Sequence, residues 1–256
     1  MTTAIETKAL PQGGGVRRII NVTRMQLINR FSLLVLPWMI LGFIFIVNLA
    51  VWWLIMTNVS AADRADASDG MQFSGATGFI FVYMLVVAVQ SVNLTFPFAL
   101  GFSATRRDFY FGSLVLFVIM SAYYGLGMTI LAAIERATDG WGFGGRMFDV
   151  LYFQAPNPVM QFVLFFVLFL FFFLVGAGVS AVYVRWRSNG MIVFWALFAV
   201  LLIGAAALIT FTQNWVTVGQ WFVEMGPFGV VMWSLLPSTL IAISGYFLLQ
   251  KATPKS

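Results

Sequence analysis

Six stretches of this chain are apolar on every face: 33–57, 76–100, 111–134, 159–184, 191–211 and 228–250. A helix needs about 20 mostly apolar residues to cross the hydrocarbon of a bilayer, so each stretch predicts a spanning helix. A different pattern precedes them. On a helical wheel Val16, Ile20, Leu27 and Phe31 share a narrow stripe, while Arg17, Arg18, Arg24, Arg30, Asn21, Gln26 and Asn29 fill much of the remainder. That spacing predicts a basic amphipathic helix over 16–32 lying in the membrane interface; the alternative is a charged flank that only fixes orientation. The expected architecture is all-α and polytopic: a flexible N-terminus over 1–15, the interfacial helix over 16–32, a six-helix transmembrane domain over 33–250 and a tail over 251–256.

Composition agrees with the pattern. Hydrophobic residues make up 61% of the 256 and charged residues 9%, against about 25% charged in a soluble domain. The net charge of +5 matters less than where the cations stand. With the N-terminus inside, Lys8, Arg17, Arg18, Arg24, Arg30, Arg106, Arg107, Arg185, Arg187, Lys251 and Lys255 are cytoplasmic; Arg64, Arg136 and Arg146 are outside, with most of the carboxylates. The positive-inside rule then puts both termini in the cytoplasm, and the basic balance calls for no nucleic-acid partner. Val59-Ser60-Ala61 is similar to a signal cleavage site, but the apolar stretch before it is about 25 residues against about 7–15 for a signal core, which favours a retained anchor.

Chemistry-bearing residues are sparse. No Cys or His occurs, which removes the usual ligands of zinc, haem and iron–sulfur clusters and the usual nucleophile–base pairs. No Gly-Lys pair occurs either, so the chain has no phosphate-binding loop of its own. The carboxylates Asp63, Asp66 and Asp69 recur every third residue, not every second as in calcium loops, and predict a solvated acidic loop. None of the six stretches contains a charged residue, which argues against proton coupling and voltage sensing. Uncharged polar groups do occur within them: Gln90, Asn93 and Thr95 in the second, Ser121, Tyr123 and Tyr124 in the third. Such groups need partners in hydrocarbon, so they face either another helix or an aqueous substrate path. Gly176 and Ser180, four apart, mark a close helix–helix or subunit contact.

Between the second and third stretches lies a short basic turn, Gly101-Phe102-Ser103-Ala104-Thr105-Arg106-Arg107-Asp108-Phe109-Tyr110. Gly101 is suited to a left-handed helix end, and Thr105-x-x-Asp108 has the form of a capping box that starts the next helix. With its flanks, from Phe98 to Gly112, the turn resembles the Gly-x-Ser/Thr-Arg-Arg-x-Phe stretch of the transmembrane subunits of ABC transporters of the type-2 (ABC-2) family, and the resemblance extends to the topology of nearly the whole chain.

That resemblance implies a permease in a bacterial inner membrane, built as two permease copies with two cytoplasmic ATPase subunits around a shared substrate path. The turn would be the coupling element, carried by Gly101, Ser103, Thr105, Arg106, Arg107, Asp108 and Phe109. Arg106 and Arg107 would touch the ATPase, Asp108 would cap the third span, Phe109 would anchor the turn in the membrane interface, and the interfacial helix would be a connecting elbow. No cofactor would be bound by this chain; ATP and Mg would sit on the ATPase. The segment between the fifth and sixth spans lacks the long folded insert of some family members. The expected function is non-catalytic export of an amphipathic small molecule or peptide. A non-transporting membrane anchor is the alternative, and a lipid-processing enzyme a third reading that lacks the residues for it.

Overall fold

A computed structural model describes residues 15–60, 62–101 and 104–251. Among these residues there are eight α-helices and no strand: α1 (Gly15–Gln26), α2 (Leu36–Asn58), α3 (Arg64–Gly70), α4 (Gly78–Gly101), α5 (Arg106–Ala137), α6 (Pro158–Phe211), α7 (Trp215–Trp233) and α8 (Leu235–Gln250). A π-helical turn, Phe31–Val35, leads into α2. Most of the expected N-terminal segment over 1–15 and of the tail over 251–256 lies outside the described residues.

Five helical stretches are long and apolar enough to cross a membrane: Phe31–Asn58, Gly78–Gly101, Arg106–Ala137, Pro158–Phe211 and Trp215–Gln250. The count differs from the expected six because α6 takes in both 159–184 and 191–211 as one run of 54 residues. At 1.5 Å per residue a straight helix of that length would measure about 80 Å, against about 30 Å of hydrocarbon. The run is not straight. Arg187 leaves helical geometry at φ 55°, ψ −146°, and divides α6 into two arms. The acidic loop is also more regular than expected, since Arg64–Gly70 forms a short helix.

The core lies where α4 and α5 pack on the first arm of α6, with α8 against that arm and α1 against the start of α5. Buried phenylalanines interlock across it; Phe117 stacks on Phe173 at 5.2 Å and Phe81 meets Phe169 at 4.7 Å. Gly176 allows the closest approach: a methyl group there would run into the Leu85 carbonyl oxygen and lie 2.9 Å from the Ala88 Cβ. One turn on, the Ser180 hydroxyl donates to Asn93 Oδ1 at 2.8 Å. The tight contact expected at Gly176 and Ser180 is therefore made within the chain, against α4. By contrast, most side chains between 191 and 225 are exposed.

At the end of the bundle that carries α3, the segment after α5 folds into a hydrogen-bonded cap. Buried Glu135 accepts from the backbone N–H groups of Met147, Phe148 and Asp149 and from the Trp141 indole. Asp149, also buried, pairs with Arg136 at 2.7 Å and Arg146 at 3.4 Å. Hydroxyls tie the cap to the chain before α4: Thr77 donates to the Met147 carbonyl and Tyr152 to the Ser74 carbonyl. Burial pushes the Tyr152 phenol above its ordinary pKa.

Candidate functional site

The basic turn sits at the opposite end, and its flanks are fixed by three other helices. Thr105 is the N-cap of α5: its backbone is extended, and its hydroxyl accepts from the Asp108 N–H at 3.1 Å. This satisfies one of the free N–H groups at the helix start. Asp108 is not the cap, as the resemblance implied. Its carboxylate turns to α1 and pairs with Arg18 at 3.2 Å, and it also lies favourably in the positive field of the first helical turn. Arg106 donates to the Gln250 carbonyl at 2.6 Å, placing a cation on the C-terminal end of α8. Arg107 lies over the Phe111 ring, 5.8 Å from its centre. Phe109 does not lie in the interface, as the resemblance implied; it is fully buried, edge-on to Phe96 at 5.1 Å, and anchors the turn in the core.

Gly101 departs from expectation. It is the last residue of α4 and its φ is not positive. The helix end is closed further on, where the Ala104 N–H reaches the Ala99 carbonyl at 3.0 Å. Ser103 lies outside the described residues.

The amphipathic helix forms, but the face it turns to the protein lies beside the apolar stripe, while Arg17, Arg18, Asn21 and Arg24 stay exposed. Val22, Thr23 and Gln26 are buried, whereas Val16, Ile20 and Phe31 of the apolar stripe are exposed. The cause is a buried polar node. Thr23 donates to the Gly112 carbonyl at 3.0 Å, and the Gln26 amide donates to Ser113 at 2.8 Å and to Thr95 at 3.3 Å. Gly112 makes this approach possible, because a methyl group there would be 2.7 Å from Val22 Cγ1. Arg18, Thr23 and Gln26 were missed as site residues by sequence reasoning. Their one signal is the spacing of Thr23 and Gln26, three apart on a helical face that borders the stripe that periodicity selects.

The polar residues read as path candidates do not converge. Thr95 belongs to the α1 node and Asn93 to the α4–α6 contact. Tyr124 and Tyr123 donate to the Leu33 and Leu34 carbonyls, the latter at 3.3 Å, and Tyr83 donates to Ser32 at 3.2 Å. Three phenols thus serve three successive carbonyls of the π-turn. Pro37 accounts for one of them: it has no N–H to offer Leu33, four residues back. Trp38 stacks on Tyr124 at 5.3 Å. Ser121 is buried with its hydroxyl unpartnered, and Gln90 is exposed on α4.

Chemically, the turn offers one exposed guanidinium, Arg107, beside the half-buried Arg106, on a helix start that α1, α8 and the core hold in place. Among the described residues no group of three or more acidic residues is placed to hold a metal ion. No protein-family model, curated protein or solved structure matches this chain.

Proposed function

We propose that the chain is the transmembrane permease subunit of an ATP-driven transporter of the ABC-2 type, a partner subunit hydrolysing ATP with its Mg. In this reading the two arms of α6 are separate spans, giving six, with both termini cytoplasmic. The observation that carries the proposal is the mounting of the basic turn. Arg106, Arg107 and the Thr105 cap stand on one rigid helix start, braced by Arg18–Asp108 from α1 and by Arg106 on the end of α8. A force applied to that start is passed to α1, α5 and α8 together, as a coupling element requires. α1 is the elbow, and its exposed Val16 and Ile20 face lipid. The cargo is an amphipathic small molecule or peptide moving along the interface between two permease copies.

One observation favours the alternative of a non-transporting anchor. Asn93, Tyr123 and Tyr124 spend their hydrogen-bonding groups inside the subunit and leave few polar groups for a passage. Affinity purification of the full chain from its native membrane separates the readings. The permease reading expects a stoichiometric ATPase chain, lost in the Arg106→Glu, Arg107→Glu double variant, together with ATP-dependent cargo movement in vesicles. A complex that holds no ATPase overturns it, and one that holds an ATPase yet moves nothing favours the anchor.

A further inference from the structure

The bend at Arg187 leaves a cleft of about 560 Å³ between the two arms of α6. This is within the range of about 300–1,000 Å³ typical of small-ligand sites. Its walls are apolar, from Val182 and Trp186 on one arm and Val193, Phe194 and Leu197 on the other, with Asn189 at the rim. The closed end belongs to the same end of the bundle as the basic turn. Ala181 and Leu249 line one small cavity, and the next residue after Leu249, Gln250, bonds Arg106.

The charge at that end is one-sided. Among the described residues Arg17, Arg18, Arg24, Arg30, Arg106, Arg107, Arg185, Arg187 and Lys251 stand there with a single carboxylate, Asp108, already paired with Arg18. Arg185 stacks on Trp186, a wall residue of the cleft, 4.6 Å from the ring centre and two residues from the bend, and Arg187 lies over Tyr183 at 6.0 Å. Arg185 makes no ion pair with the described residues. A cleft with greasy walls and a half-buried guanidinium stacked on one of them, near the bend, matches a molecule with an apolar tail and an anionic head.

We propose that this cleft holds an acyl chain of an anionic phospholipid, its phosphate against Arg185 and its chain running between the arms toward the bilayer centre. The inference stands apart from the transport reading, since an anchor would hold the same lipid. Trp186 gives the chain a flat wall and holds the Arg185 guanidinium beside it. Gly190 fits the bend because any side chain there would strike the Trp186 Cβ.

The chain has no cysteine, so Asn189→Cys provides a unique labelling point inside the rim. With a fluorophore there and the protein in vesicles, brominated-chain phosphatidylglycerol and phosphatidylcholine are compared as quenchers. The anionic lipid is expected to quench at about fivefold lower mole fraction, the preference that ~1 kcal/mol per basic residue gives. Arg185→Glu should bring the two lipids to parity and Arg185→Lys should keep the preference. Lys251→Glu, the same charge change elsewhere at that end, should also keep it. Val193→Trp, which fills the cleft, should weaken quenching by both lipids and covers the case in which Arg185→Glu fails to fold. Glycerol phosphate added to the buffer should not compete. Equal quenching by the two lipids in the parent protein overturns the proposal, as does a preference that survives Arg185→Glu. Disulfide pairing of unlabelled Asn189→Cys between copies, without quenching, also overturns it by placing a second chain in the cleft.

Discussion

The two ends of the bundle use charge in opposite ways. At the capped end Glu135 and Asp149 are buried, and between them they engage three backbone N–H groups, an indole and two arginines. Charge there is spent inward, on fixing the fold of a loop. At the other end one buried carboxylate, Asp108, holds Arg18, Arg106 reaches the Gln250 carbonyl, and Arg107 is exposed on a helix start already secured by Thr105 and Phe109. Removing charge at the first end should therefore cost stability; removing the exposed Arg107 at the second should leave the fold nearly unchanged and, in the permease reading, disable what docks there.

The largest effect is expected from Glu135→Ala. It leaves several buried N–H groups without an acceptor, and should lower stability by about 3 kcal/mol or more, read as earlier thermal unfolding in detergent. Next is Tyr124→Phe, which deprives the Leu33 carbonyl of the donor that Pro37 cannot supply and should cost about 1–1.5 kcal/mol. Thr105→Ala removes the N-cap of α5 and should cost about 1 kcal/mol. Smallest is Arg107→Glu, expected to change stability by less than about 0.5 kcal/mol while abolishing capture of the ATPase chain. A Glu135→Ala protein as stable as the parent, or an Arg107→Glu protein that unfolds early, would break the contrast between the ends.

Much of this arrangement was legible before the structure. Continuous apolar runs located α2, α4 and α5 to within about five residues, but 159–184 and 191–211 form the single run α6 and the last helical stretch begins at Trp215, well before 228; Thr-x-x-Asp located the start of α5, and Gly176 with Ser180 located a close contact. The residues that eluded sequence reasoning are those whose partners are distant in the chain. Periodicity identifies the stripe of α1 but cannot say which face a neighbouring helix takes; Thr23 and Gln26 were claimed by Gly112, Ser113 and Thr95 on α4 and α5. The role of Glu135 depends on a loop that returns to it after twelve residues. Tyr123 and Tyr124 read equally well as path or packing, because the carbonyls that take their protons lie on a different helix. Asp108 fits a capping box in sequence, and only the proximity of Arg18 decides where its carboxylate turns.

The sidedness of these two ends and the docking of the basic one are tested together by cysteine labelling in the cysteine-free chain. Asp66→Cys and Arg107→Cys are exposed in intact cells to a membrane-impermeant maleimide, and then again after the cells are opened. The account predicts that Asp66→Cys reacts at once, and that Arg107→Cys reacts only after opening and is shielded while the ATPase chain is bound. Reaction of Arg107→Cys from outside intact cells, or equal reaction with and without the partner, would contradict it.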